Sequence, residues 1–112
     1  MTPAIATHES AAARQARITR GAIIGKALSH EVRIEVLLLL DANSRATSPN
    51  EMREAGVARP SSNPHLNYHV GLLRKLGCVR SVRTRRARGG TEHFYVLTTF
   101  GRAIVGYVGE GR

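Results

Sequence analysis

A polar segment between residues 61 and 69 carries the side chains best suited to contact another molecule. They share short or planar hydrogen-bonding groups: Ser61, Ser62, Asn63, His65, Asn67, Tyr68 and His69. Asparagine can bond the edge of an adenine through two hydrogen bonds, and serine or histidine can reach a base or a phosphate. Serine and asparagine also cap helices, so a capping role for Ser62 and Asn63 stays open. The segment is a candidate surface for reading DNA bases.

Positive charge is concentrated around this segment. No acidic residue lies between Glu54 and Glu92, although eight of the 17 lysine and arginine residues do. Nine basic residues nearly balance eight acidic ones elsewhere, so most of the net charge of +9 comes from one third of the chain. Such concentrated charge favours binding to a polyanion, and double-stranded DNA is the expected partner.

A second basic group, Arg85, Arg86 and Arg88, precedes Gly89 and Gly90. The pattern predicts a hairpin tip at residues 86–90, where arginine could enter a minor groove or bind phosphates. A solvated charge run is the alternative. Arg74 is a further DNA-contact candidate, although its place near a helix C-terminus also gives it a structural role. Arg33 is expected on the exposed side of its helix, and Glu92 and His93 at the base of the hairpin, where they would orient it.

The elements that must position these residues follow from spacing and capping signals. Ser48-Pro49-Asn50-Glu51 forms a capping box, and Gly77 ends a helix whose apolar side chains recur every three or four residues. Gly21 is expected to interrupt the first helical segment. The predicted helices cover residues 9–20, 23–40 with a break near Ser29-His30, 49–56, 62–76 and 99–108. In the last of them, Phe100, Ile104 and Tyr107 or Val108 are expected to face inward. The predicted strands cover residues 79–85 and 93–98.

This order predicts a mainly α fold with a small β-hairpin (α+β), namely a winged helix-turn-helix with extra N-terminal and C-terminal helices. Residues 1–21 would form an arm or a dimerisation helix, and residues 22–98 the DNA-binding domain. Residues 99–112 would form a C-terminal helix and tail. We expect a homodimer held by Glu9–Arg20 and the C-terminal helix.

Several motifs carry a resemblance to the winged-helix repressors typified by arsenic-responsive regulators, and to small actinobacterial-type members in particular. They are Lys26-Ala27-Leu28-Ser29-His30 with Arg33, Ser48-Pro49-Asn50-Glu51, Asn67-Tyr68-His69-Val70, Leu76-Gly77 and Gly90-Thr91-Glu92-His93-Phe94-Tyr95. The resemblance implies a sequence-specific DNA-binding transcriptional regulator. Its recognition helix, about residues 62–76, would lie in the major groove, and its wing, residues 85–90, on the minor groove or backbone. The turn at Val57–Ser61 is longer than in that family, and Phe100–Arg112 has no counterpart there.

Metal and catalytic chemistry receive little support from the sequence. His65 and His69 are four residues apart and could share a metal, but two histidines supply half of a tetrahedral shell. The cysteine-rich and histidine-carboxylate sensor motifs of the arsenic-type family are missing, so no metal or small-molecule effector is evident. Cys78 is expected to be a buried core thiol, with a redox switch as the alternative. Neither a nucleophile elbow nor a phosphate loop is present, so no enzyme activity and no cofactor are expected.

Two other function classes stay open at this point. One is a non-specific architectural or RNA-binding winged helix, and the other is a protein-interaction module that docks on the transcription machinery. The longest apolar run, Val36–Leu40, is too short to cross a membrane. The expected location is therefore cytoplasmic, in association with the nucleoid.

Overall fold

The computed structural model describes residues 9–58 and 65–109. In these two ranges the chain is rich in helix and contains a two-stranded antiparallel hairpin, which confirms the predicted fold class. The elements in chain order are α1 (Ala11–Ala27), α2 (Glu31–Ala42), α3 (Pro49–Glu54), α4 (Leu66–Lys75), β1 (Val79–Ala87), β2 (Gly90–Leu97) and α5 (Thr99–Gly109).

Helix α1 continues through Gly21, where the sequence predicted an interruption, so that prediction was wrong. Glycine costs about 1 kcal/mol relative to alanine inside a helix, and the alanines and long side chains around Gly21 offset that cost. Ser10 caps the helix by accepting a hydrogen bond from the backbone N–H of Ala13 at 3.0 Å. The predicted boundary between residues 21 and 22 therefore falls inside one helix. Ala27 is the buried residue of α1.

The predicted break near Ser29-His30 is confirmed, since α1 ends at Ala27 and α2 begins at Glu31. The Nδ1 atom of His30 caps α2 by accepting from the backbone N–H of Val32 at 3.1 Å. Helix α2 then buries Val36 and Leu37 almost completely. The resulting corner turns the chain so that α2 packs under α4 and α5.

The capping box at the start of α3 is confirmed. The backbone N–H of Glu51 donates to Ser48 Oγ at 3.2 Å, and the Glu51 carboxylate accepts from the Ser48 N–H at 3.1 Å. This hydrogen bond from Ser48 is the main reason why the pKa of Glu51 is lowered. Beyond α3, Ala58 adopts a left-handed φ of 65°, and its N–H donates to Glu35 Oε1 at 3.2 Å. That bond holds a backbone conformation that alanine seldom adopts.

The core is mainly aliphatic, as the low aromatic content predicts. Helix α4 contributes Leu66, Val70 and Leu73, all essentially inaccessible to solvent, while Leu76 is partly buried. The predicted start of this helix at Ser62 or Asn63 lies outside the described residues, and the helix as described begins at Leu66.

The hairpin is longer than predicted. β1 and β2 pair up to Ala87 and Gly90, so the turn consists of Arg88 and Gly89 rather than of residues 86–90. Gly89 has a φ of 88°, which glycine adopts without strain. The base of the hairpin is tied to the segment before α3, because Thr47 and Tyr95 exchange two backbone hydrogen bonds of 2.9 and 3.0 Å.

Helix α5 spans the predicted range and buries Ile104 and Val105. Of the two alternatives predicted to face inward, Val108 is partly buried and Tyr107 is 63% exposed, so Val108 is the inward residue. In the described ranges no helix is both long and apolar enough to cross a membrane.

Candidate nucleic-acid interface

The exposed face of α4 presents the polar side chains that the sequence singled out. Asn67 and Tyr68 both lie on the side of the helix away from its buried leucine and valine residues, and Tyr68 is 61% exposed. His65 is also exposed, at the N-cap of α4. The structure thus brings these three side chains to one end of a solvent-facing helix.

Arg53 of α3 is an addition to this surface that sequence reasoning missed. Its guanidinium donates to Asn50 Oδ1 at 3.0 Å and to Asn67 Oδ1 at 3.4 Å. The second bond links α3 to α4 and orients the Asn67 amide. The spacing of Asn50 and Arg53 on one helix face was the signal available in the sequence. Ser61, Ser62 and Asn63 lie outside the described residues.

His69 does not lie on this exposed face, and its predicted place on the reading surface is corrected. It is 5% exposed, and its Nδ1 accepts a hydrogen bond from Arg33 Nε at 3.2 Å. Its position three residues after Leu66 and four before Leu73 places it on the inward side of α4. Burial and the bond to Arg33 make His69 a helix-packing residue.

Arg33 is likewise buried, at 9% exposure, so the prediction of an exposed side chain was wrong. Its Nη1 donates to the backbone carbonyl of Lys26 and to Ser29 Oγ, the latter at 3.0 Å. The His30 ring also lies against His69, with 4.2 Å between centroids. We call Arg33, His30 and His69 the Arg33 cluster.

The Arg33 cluster disfavours a proton on His69. Burial is the main cause of the lowered pKa of His69, and electrostatic interactions with His30, Arg33 and His65 lower it further. A neutral His69 is also the form whose Nδ1 can accept from Arg33. The cluster therefore fixes α4 to the corner between α1 and α2 through an uncharged imidazole.

The arginines of the hairpin fall into two groups. The Arg83 guanidinium lies over the Phe94 ring at 3.8 Å from its centroid, and Arg85 Nη2 pairs with Glu92 Oε1 at 2.6 Å. Arg86 and Arg88 are exposed and have no hydrogen-bond or ion-pair partner among the described residues. The structure thus leaves the charge at the end of the wing open to a ligand.

Glu92 is 8% exposed although it lies in the wing. Hydrogen bonding to Ser48 is the largest cause of its lowered pKa, followed by hydrogen bonding to Arg85, and Asn50 adds a smaller contribution. The expected role of His93 at the base of the hairpin agrees with its Nδ1 lying 3.1 Å from Ser81 Oγ.

A cleft of about 310 Å³ separates α3 and α4 from the wing. One wall carries Asn50 and Asn67, and the other runs along the wing from Arg88 to Glu92. The cleft therefore lies between the two parts of the surface that present polar and basic groups. Arg74 and Lys75 are exposed at the opposite, C-terminal end of α4.

The remaining chemically active side chains are separate from this surface. Cys78 is completely buried, which confirms the predicted core thiol, and burial raises its pKa. His69 is buried within the Arg33 cluster, so it does not share an open site with His65. In the described part of the chain, no three side chains of His, Cys, Asp or Glu come together as a metal-binding group would require.

A solved structure has a similar fold. The crystal structure of the transcriptional repressor BigR from Xylella fastidiosa matches with a TM-score of 0.63 and 24% sequence identity, over 90% of this chain and 92% of that chain. The chain has a winged helix-turn-helix fold. No protein-family model matches the sequence, and no curated protein matches it either. At this level of identity the likeness establishes the fold.

Proposed function

We propose that this protein is a sequence-specific, double-stranded DNA-binding transcriptional regulator related to the arsenic-responsive repressors. The supporting observation is that Asn67 on the exposed face of α4 and Arg88 at the turn of the wing border one cleft. An α-helix fits the major groove, and a wing beside it reaches the adjacent minor groove or backbone. The similarity to a transcriptional repressor agrees with repression as the output.

In this arrangement α4 selects the sequence. Asn67 can bond an adenine edge, and the Tyr68 ring can pack against a sugar or a thymine methyl group. Arg86, Arg88 and Arg74 supply positive charge for phosphate contacts, which add affinity without selecting a sequence. Ser61, Ser62, Asn63 and His65 belong to the same proposed DNA-contact set through their place before α4, and Gly89 allows the turn of the wing to approach the backbone closely.

We further propose that two copies associate through α1 and α5. Helix α1 is 17 residues long but buries Ala27 alone, and Ile18 on its surface is 56% exposed. An apolar groove runs between α1 and the end of α4, with Phe100 of α5 in its wall. A second copy would cover this groove. A two-fold dimer requires a pseudo-palindromic DNA site with half-sites about 10 base pairs apart.

The test is a selection of bound duplexes from a random pool, followed by titration of the selected duplex and a scrambled one at two salt concentrations. We expect a palindromic motif, and affinity that decreases steeply as salt increases. Asn67→Ala and Tyr68→Ala together should reduce discrimination by about 1 to 3 kcal/mol per lost base contact.

Arg102→Ala is the matched control, because it removes an exposed positive charge outside α4 and the wing. Arg102 lies beside the turn at Asn43 and Ser44 rather than in the groove between α1 and Phe100. Arg102→Ala should leave discrimination between the two duplexes unchanged. Equal affinity of the wild type for both duplexes would instead indicate a non-specific architectural protein. No saturable binding to either would refute a DNA-binding function and favour a protein-interaction module.

A further inference from the structure

Four of the five arginines of the hairpin, Arg83, Arg85, Arg86 and Arg88, differ in what their side chains already contact. Directly paired residues of an antiparallel hairpin share a face, and the register pairs Arg83 with Phe94 and Arg85 with Glu92. Arg83 and Arg85 therefore lie on the face that carries a buried ring and a buried carboxylate. Arg86 pairs with Thr91 on the opposite face, and within residues 9–58 and 65–109 no ion pair neutralises its charge.

Glu92 connects the wing to the helix-turn-helix. Its Oε1 accepts two hydrogen bonds from Arg85, from Nε at 3.1 Å and from Nη2 at 2.6 Å. Hydrogen bonding to Ser48 and Asn50 ties the same carboxylate to the start of α3. The Glu92 carboxylate therefore lies between the hairpin and the start of α3.

The negative charge of Glu92 lies where it would oppose DNA binding. Its carboxylate lies in the wall of the cleft between α4 and the wing. If α4 occupies the major groove and the wing the minor groove, the sugar-phosphate strand that separates the two grooves passes over this cleft. An unneutralised carboxylate there would repel that strand, because like charges at short range are strongly unfavourable.

We propose, on the basis of the DNA-binding function above, that Arg85 positions the wing by neutralising Glu92, and that Arg86 and Arg88 contact DNA while Arg85 does not. In this proposal Arg85 is a positioning residue, whereas the sequence predicted a DNA contact at this position. Arg83, held on the Phe94 ring, has a similar internal role.

The experiment is a double-mutant cycle on DNA affinity with Arg85→Ala, Glu92→Gln and the two changes together. Gln keeps the shape of Glu92 and one acceptor oxygen, but it removes the charge and replaces the second oxygen by an NH2 donor. We expect Arg85→Ala to weaken binding on the order of tenfold, and the double variant to return to within about threefold of the wild type, because residues in one charge pair couple strongly.

The matched cycle uses Arg86→Ala with the same Glu92→Gln change. The effects of Arg86→Ala and Glu92→Gln on the free energy of DNA binding should be additive. Arg86→Ala should also lower the slope of log affinity against log salt by about 0.9, as expected for one lost phosphate contact. Arg85→Lys, which keeps the charge, should bind within about threefold of the wild type. If Arg85→Ala lowered the salt slope as Arg86→Ala does, and Glu92→Gln did not rescue it, Arg85 would be a DNA contact and our inference would be wrong.

A measurement without DNA separates this inference from the proposed function. Carbon NMR of the Glu92 carboxyl should show a higher pKa in the folded Arg85→Ala variant than in the wild type, and an unchanged one in Arg86→Ala. An unchanged pKa in Arg85→Ala would overturn the pairing. Failure of the wild type to bind any duplex would refute the proposed function even if this titration agreed.

Discussion

Gly101 at the start of α5 should tolerate no side chain. A Cβ at this position would lie 2.1 Å from the backbone carbonyl oxygen of Cys78, whereas ordinary contacts begin at 3.4 Å. The obstacle is backbone, so α5 itself would have to move by about 1 Å. That shift would disturb Thr98, whose N–H donates to Cys78 O at 3.0 Å and whose Oγ1 accepts from the Gly101 N–H at 3.0 Å.

We therefore expect Gly101→Ala to destabilise the fold by about 3 kcal/mol, because overpacking of this kind costs about 1 to 3 kcal/mol or more and hydrogen bonds are strained in addition. In a domain of this size, 1 kcal/mol corresponds to about 4 to 8 °C in Tm, so the loss should be on the order of 15 °C. Thermal and urea unfolding followed by circular dichroism measure both quantities.

Gly106→Ala is the matched control in the same helix. A Cβ there meets nothing within 4 Å, so only helix propensity changes. We expect a gain of about 1 kcal/mol. If Gly101→Ala unfolded at or above the wild-type Tm, the close packing of α5 against Cys78 would be wrong.

Three further predictions concern single side chains. The pKa of His69 is lowered in the folded state, so the unfolded chain binds a proton at a higher pH than the folded chain does. The contribution of His69 to the free energy of unfolding should therefore be fully present above about pH 6.5 and decrease as the pH falls below that value. Urea unfolding between about pH 8 and pH 5 measures this decrease, and His69→Gln should remove that part of the pH dependence. Cys78, buried and with a raised pKa, should react with a thiol reagent far more slowly in the native than in the unfolded protein, and a rate equal to that of a free thiol would contradict its burial. Ser48→Ala should lower the free energy of unfolding, measured in urea, by about 1 to 2 kcal/mol, because the N-cap hydrogen bond is lost. Ser44 is exposed in the preceding turn, so Ser44→Ala should change this free energy by no more than about 0.5 kcal/mol.

Local signals in the sequence were sufficient to predict those features of the structure that depend on neighbouring residues. The Ser48–Glu51 capping box and the break at Ser29-His30 both rest on hydrogen bonds within a few residues, and both are confirmed. Gly77 ends the α4 segment with a φ of 85°, as a glycine after a helix predicts. The exposed position of Asn67 and Tyr68 also followed from the spacing of the apolar residues.

Long-range pairing explains what the sequence did not reveal. Arg33 and His69 are polar, and burial of either alone would be costly, so polarity suggested exposed side chains. Each meets the hydrogen-bonding need of the other across 36 residues of chain, which is visible only in three dimensions.

The wing shows how a small error in a turn changes the expected contacts. A tip at residues 86–90 would pair Arg85 with Thr91. The observed two-residue turn moves the register by one and places Arg85 opposite Glu92. A shift of one residue changes which cross-strand partners meet, and here it decides whether Arg85 faces a carboxylate.

The contacts of Arg33 also affect local unfolding of the protein. One guanidinium bonds the end of α1 at Lys26, the turn at Ser29 and the middle of α4 at His69. Parts of a protein that share such a contact exchange their backbone amide hydrogens as one cooperative unit. The corner before α2 and the buried side of α4 should therefore gain and lose protection from hydrogen exchange together, although they are far apart in the chain.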